Sequence, residues 1–456
     1  MIALALLLAA DAAVKVTAPV VALTHVRVID GLGHPPQPDT TVVIAKGRIQ
    51  FIGGKVPEGA VVLDLPGRTV LPGLVGMHDH LFMTAVINQK LGLRQISQVS
   101  VSAPRLYLAS GVTTIRTTGS LEPYADLNLK ARIDRGDTPG PRIFVTAPYL
   151  EGKDSVFLQM HELRDEADAR RMVNFWADAG ATSFKAYMKI TRAELGAAVE
   201  EAHKRGLKVT GHLCSVTYRE AAELGIDNLE HGFFVASDFV PGKKPDACPE
   251  TVGESLAKID PDSPEVKSLL QELVRRKVAI TSTLPVFEAG LLRKLPEPRV
   301  LELLSSEARL SILQLRATTG SKPTPPHFAE WYRMAALLER RFVEAGGLLI
   351  AGSDPTGPGA VLAGLADQRE VELLVEAAGF TPLEAIRIAT SNGARFLGAQ
   401  DFGSVEPGKY ADLVVVRGDP STKIADIENV ELVFKEGAGY DPQRLLEPVR
   451  GLVGAQ

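Results

Sequence analysis

Four histidines, one lysine and one aspartate stand where their side chains could act together on metal ions: His78, His80, Lys185, His212, His231 and Asp354. The segment Met77-His78-Asp79-His80 closes an apolar run, and residues two apart on a strand point the same way. His78 and His80 can therefore share an ion while Asp79 faces away. Lys185 lies in SFKAY, His212 closes LKVTGH, Glu230-His231 closes IDNLEH, and Ser353-Asp354 closes GLLIAGSD. Imidazole and carboxylate suit Zn2+ and related divalent ions. A protonated lysine is a poor ligand, with a free pKa of about 10.4. Carboxylated by CO2 it becomes an anionic carbamate, whose two oxygens can bridge two metals roughly 3.5–4 Å apart. Such a pair acidifies a shared water to hydroxide near neutral pH, and Asp354 can take its proton and return it to a leaving amine. Singly, each residue has a plainer reading: a lysine with a buried stem, hydrogen-bonded histidines, a turn aspartate before Pro355. Their joint position carries the metal reading.

That position requires a scaffold that gathers strand ends. Eight β-like runs lie in the middle of the chain: LPGLVGMH, GVTTIRTTG, RIFVTA, ATSFKAYM, LKVTGHL, IDNLEH, VAITSTL and GLLIAGSD. Helical patterns such as DEADARRMVNFWADAG and TRAELGAAVEEAHKRG separate most of them, and several stop at glycine (Gly180, Gly206, Gly346) just before the next strand. Eight strand–crossover units describe an α/β fold, a (β/α)8 TIM barrel, whose strand C-termini converge on one face. Two long stretches, 233–276 and 285–346, interrupt the rhythm. Their proline-rich pieces VPGKKPDACPE and SKPTPPHF read as loops over the barrel mouth. Short alternating runs with glycine bends fill both ends of the chain, which predicts a small β-sandwich domain assembled from both termini. The expected division is a barrel over 71–399, a β-sandwich domain over 14–70 plus 400–440, and a tail over 441–456.

The chain has 456 residues, with 50 Lys+Arg against 55 Asp+Glu and a net charge of −5. Near-neutrality argues against nucleic acid as a partner, and 45% hydrophobic residues exclude extended disorder; the expected partner is a small-molecule substrate. Residues 1–13, MIALALLLAADAA, are apolar, end on small residues and resemble a secretory signal, although no Lys or Arg precedes Lys15. The expectation is a periplasmic or secreted protein, or a cytoplasmic one if the start is misassigned, with no stable membrane span. Two cysteines, Cys214 and Cys248, exclude a thiolate zinc site of the usual kind. A bridge pinning the loop over the mouth and two free buried thiols both remain open.

The motifs VIDG…IAKGRIQFIG, VLPGLVGMHDH, EEAHKRGLKVTGHL, LEHG and ATSNGARFLG…GSVEPGKYADLVVV together resemble the amidohydrolase superfamily. The similar group includes imidazolonepropionase-like proteins and metal-dependent Xaa-Pro and Xaa-Arg dipeptidases. The resemblance implies two divalent ions, zinc first among the candidates. His78, His80 and Asp354 would hold the more buried one, His212 and His231 the second, and Lys185, as a CO2-derived carbamate, would bridge them. Lys189 is the runner-up for the carbamate. The implied reaction is hydrolysis of a carbon–nitrogen (amide) bond in a dipeptide, N-acyl amino acid or cyclic amide, by a homo-oligomer. Relatives often carry a Gly/His-rich segment after the third strand that polarises the substrate carbonyl, where this chain has TAPYLEGKD, which leaves substrate orientation open. Tyr187 and Arg116 are the candidates for substrate contacts. His161, His203, His25, His34 and His327 have a structural reading. One alternative is a single-metal deaminase or imidazolone-type hydrolase using Glu230, although that residue, next to His231, is expected to face the opposite side. The other is a non-catalytic scaffold of the same fold.

Overall fold

The computed structural model describes residues 13–454 except 89–92, 156, 158, 292–295, 321–325 and 358. The export signal expected over 1–13 thus lies, apart from Ala13, outside the described residues. Eight parallel strands occupy the eight expected runs: β1 (Leu74–Asp79), β2 (Val112–Thr117), β3 (Arg142–Val145), β4 (Ser183–Ala186), β5 (Lys208–Gly211), β6 (Asn228–Glu230), β7 (Ala279–Ser282) and β8 (Leu349–Ala351). The continuous ladder of a closed barrel does not form. β1–β3 pair as one arc and β4–β8 as a second.

The arcs meet at two seams through separate hydrogen bonds. At one, Thr182 N donates to Val145 O (2.7 Å) and Ala147 N to Ser183 O (2.9 Å). At the other, Ser353 N and Asp354 N both donate to His78 O, at 3.1 and 2.9 Å. The chain leaves strand geometry there, since Asp354 has φ 52°, and two amides fall on one carbonyl instead of running on as a ladder. Gly352 makes the close approach possible, because a Cβ at this position would collide with the His78 backbone.

Helices cover the outer face: α1 (Glu166–Ala179), α2 (Arg192–Lys204), α3 (Pro264–Arg275), α4 (His327–Glu344) and α5 (Leu365–Glu376). Local chemistry sets their ends. Asp165 caps α1 by accepting from Asp168 N, and Gly180 at φ 105° stops it. Thr191 and Glu194 form a reciprocal capping box on α2. Val266, Leu269, Leu270 and Leu273 make the buried stripe of α3. They pack into a core with Phe184, Val209, Leu229 and Ile280 of the strands. The stretch 285–346, expected as loop around its proline-rich piece, is largely helical. It holds helices Pro298–Leu303 and Ser306–Gly320 before α4, and His327 and Phe328 already belong to α4. Tyr332, Ala335, Ala336, Leu338 and Phe342 of α4 recur at helical spacing and are buried.

Strands from both ends of the chain form one nine-stranded sheet, including Val20–Val28, Arg68–Pro72, Leu413–Arg417 and Val430–Lys435. The strands expected to form a β-sandwich are thus connected into one hydrogen-bonded sheet, with its own apolar cluster of Leu23, Val42, Ile49, Leu413 and Phe434. One strand, Val20–Val28, pairs with three partners and so links the strands on either side of it. Cys214 and Cys248 form a disulfide, settling the open alternatives. Among the described residues no helix is long and apolar enough to cross a membrane.

Candidate metal centre

The six expected groups converge where the strands end. His78 lies at the end of β1, with His80 just beyond it. Lys185 is on β4, His212 directly follows β5, His231 follows β6, and Asp354 comes three residues after β8. The rings of His78 and His231 are 4.5 Å apart between centroids, and those of His212 and His231 are 4.3 Å apart. Candidate ligand atoms of His78, His231 and Asp354 all lie within 4.8 Å of one another. Lys185 Nζ is 3.1 Å from His78 Nε2.

The hydrogen bonds behind the imidazoles decide which nitrogen faces inward. His78 Nδ1 donates to Glu230 Oε2 at 2.7 Å, and His80 Nδ1 donates to Gly119 O at 3.2 Å. His231 Nδ1 pairs with Thr283 Oγ1 at 2.9 Å, leaving a buried Nε2 with no partner. His80 Nε2 then faces Asp354 Oδ1 at 3.2 Å. A neutral imidazole whose proton is on Nδ1 opposes one lone pair to another there, and a cation between them resolves the conflict. The donor set thus fits divalent metal.

The electrostatics agree. Burial, reinforced by the charge of Lys185, draws His78 down to about 4 and His212 to about 3; burial and His212 hold His231 well below its usual range. The imidazoles are neutral near pH 7, as metal ligation requires. Burial draws the Lys185 amine down to about 8, which brings the neutral amine, the form that reacts with CO2, within reach of ordinary pH.

Two expectations need correction. Glu230 was expected to face away from His231, yet both turn toward the cluster. β6 ends at Glu230, and His231 has φ 66°, so the alternation of a strand no longer applies between them. Arg116 does not reach the substrate side. It is buried beneath the cluster, where Nε donates to Met77 O (2.8 Å) and Nη2 to Glu230 Oε1 (2.7 Å) and Asn228 Oδ1 (2.9 Å). Thr210 Oγ1 donates to Glu230 as well. This floor of Glu230, Arg116, Thr210 and Asn228 orients His78. Its one sequence signal was that Glu230 directly precedes His231, one of the expected ligands.

Tyr187 lines the cavity above the cluster, with its ring 4.9 Å from that of His212. Tyr149, which sequence reasoning missed, stands beside it at 5.0 Å. Tyr107 exchanges hydrogen bonds with the His80 backbone: its hydroxyl donates to His80 O (3.0 Å) and accepts from His80 N (3.2 Å). Lys189 points away, donating to Asp154 O. His161 pairs with Asp168, His203 with Asp227, His25 with Asp64 and His34 with Asp30, all outside the cluster.

The amidohydrolase family model matches residues 69–242 and 340–438, well over half of the chain. An imidazolonepropionase from Streptomyces avermitilis is 25% identical over 417 residues, covering 87% of this chain and 84% of its own. A solved structure from Bifidobacterium longum, provisionally assigned as a prolidase, is 26% identical. It covers 94% of this chain and 98% of its own, with a TM-score of 0.66. A Xaa-Pro dipeptidase structure shares the fold at 21% identity, covering 92% of this chain and all of its own, with a TM-score of 0.68.

Proposed function

The chain belongs to the amidohydrolase family, and on that footing we propose that it hydrolyses a carbon–nitrogen bond at a two-ion centre bridged by carboxylated Lys185. His78, His80 and Asp354 would hold one ion, His212 and His231 the other, with zinc the first candidate. When bound, such ions acidify water toward neutral pH and polarise the scissile carbonyl. The chain's own residues do the rest. An Asp354 carboxylate oxygen accepts the proton of the attacking water and returns it to the leaving nitrogen. The Tyr187 hydroxyl, kept protonated by burial, donates to the carbonyl oxygen as charge develops on it. The candidate substrates are peptide-like or cyclic amides: a dipeptide, an N-acyl amino acid or a cyclic amide.

The observation that carries this reading is the set of committed Nδ1 atoms. His78, His80 and His231 are each held from behind, with Nε2 left toward Asp354 and Lys185 or without a partner. Glu230 is bonded to His78 and Arg116 and does not line the cavity, so it lends no support to a one-ion centre with a proton-shuttling glutamate.

Loading with Zn2+ in bicarbonate buffer should give about two equivalents per chain by elemental analysis, falling to about one or less in Lys185→Ala with turnover reduced by orders of magnitude. About one equivalent in the parent, with Lys185→Ala fully active, would replace the two-ion centre by a single-ion one. Screening dipeptides, N-acyl amino acids, cyclic amides and their uncharged derivatives, beside an ammonia-release assay, separates amide hydrolysis from deamination.

A further inference from the structure

The cavity over the cluster is about 300 Å3. Beyond the proposed ligands its wall is carbon and hydroxyl: Phe82, Leu121, Phe157, Met160 and Leu315 on the apolar side, with Tyr149 and Tyr187 beside the ligands. Among the described lining residues the only charged groups are Lys185 and Asp354, both already in the cluster. Three basic side chains outside the lining are held by other groups. Arg116 is in the floor with Glu230, Lys189 is on Asp154 O, and Arg164 is on Asp168. The Tyr149 and Tyr187 hydroxyls make no hydrogen bond with the protein among the described residues, although their rings pack against each other at the cavity.

Resting on the hydrolase reading, we infer that the substrate is uncharged on the flank of its scissile carbon–nitrogen bond that meets this wall, and places an aromatic or branched apolar group there against Phe82, Leu121, Phe157 and Met160. A carboxylate seated against this wall would be taken from water with no cation outside the cluster, among the described lining residues, to receive it, which is strongly unfavourable. An apolar group gains by the same burial, and two neutral hydroxyl donors can serve a neutral carbonyl oxygen. The class is therefore a blocked peptide-like amide, an apolar carboxamide or a cyclic amide, rather than a free dipeptide or an N-acyl amino acid with its carboxylate exposed to the wall.

Two hydroxamates test this without turnover. Calorimetric titration of the zinc-loaded full chain should show 3-phenylpropionohydroxamic acid binding at least ten-fold more tightly than succinic monohydroxamic acid, whose carboxylate replaces the ring. Leu121→Arg, with unchanged metal content, should narrow or reverse that preference. Equal or tighter binding of the succinic compound by the parent, or binding of neither, overturns the inference. Metal content on the same sample is read separately. A chain that takes up no zinc defeats the hydrolase reading, whereas a zinc-loaded chain that prefers the carboxylate defeats only the substrate class.

Discussion

Glu230 touches no part of the cavity, yet it governs the residue at the centre of the cluster. Its carboxylate accepts a hydrogen bond from His78 Nδ1 on one oxygen and from the Arg116 guanidinium on the other, all in buried surroundings. Burial alone would raise its pKa, but Arg116 and His78 outweigh it and keep the group ionised. Glu230→Gln retains an acceptor but leaves Arg116 without its counter-charge. Metal affinity should fall by about 10–100-fold, measured by competition with a chromogenic chelator, while circular dichroism stays unchanged. Glu230→Ala should instead cost about 3–5 kcal/mol of stability in denaturant unfolding, because a buried guanidinium is left unpaired.

At the scale of elements, the strand ends were legible because a histidine or aspartate closing an apolar run is conspicuous, and the barrel repeat assigns each run an equivalent place. What escaped was backbone geometry. His231 and Asp354 both have positive φ, and no residue type announces that turn; Gly232 after His231 is the nearest hint. Tyr149 escaped because a tyrosine in TAPYLEGKD looks like packing until its ring is seen against Tyr187. α4 was hidden behind the prolines of SKPTPP, although its own apolar spacing is regular. The disulfide joins Cys214, two residues beyond His212, to the loop that follows β6, with a sequence separation of 34. Cys214→Ser should lower stability by about 2–4 kcal/mol in guanidinium unfolding, and reductant should bring the parent to the same value while leaving the variant unmoved.

At the scale of the whole molecule, a layer of buried carboxyls lies between the strands and α4 and α5. Ser353 donates to Asp79 (2.9 Å) and Asp367 (3.1 Å), Ser282 donates to Glu339 (2.8 Å), and Leu284 N donates to Glu370 (2.8 Å). Burial raises Asp367 to about 7 and Glu339 to about 8; burial together with Asp367 lifts Asp79, and burial together with Glu339 lifts Glu370. These groups hold protons in the folded chain that the unfolded chain releases at about pH 4. Their contribution is complete below that pH and is lost as pH rises through 7 to 8. Glu339→Gln should flatten the decline between pH 5 and 8 by up to about 1.4 kcal/mol per pH unit in chemical denaturation. The contribution of the neutral histidines, which has the opposite sign, is common to both proteins and cancels in the comparison.

The seam at His78 O has a consequence for how the molecule could be divided. β1–β3 carry only His78 and His80 to the cluster, while β4–β8 and the turns after them carry Lys185, His212, His231 and Asp354. The chain passes between the two arcs through exposed residues such as Glu162 and Arg164. Cut there, neither fragment would own a complete set of donors, and hydrolysis would return only when the halves rejoined. The enzyme would then serve as its own complementation reporter.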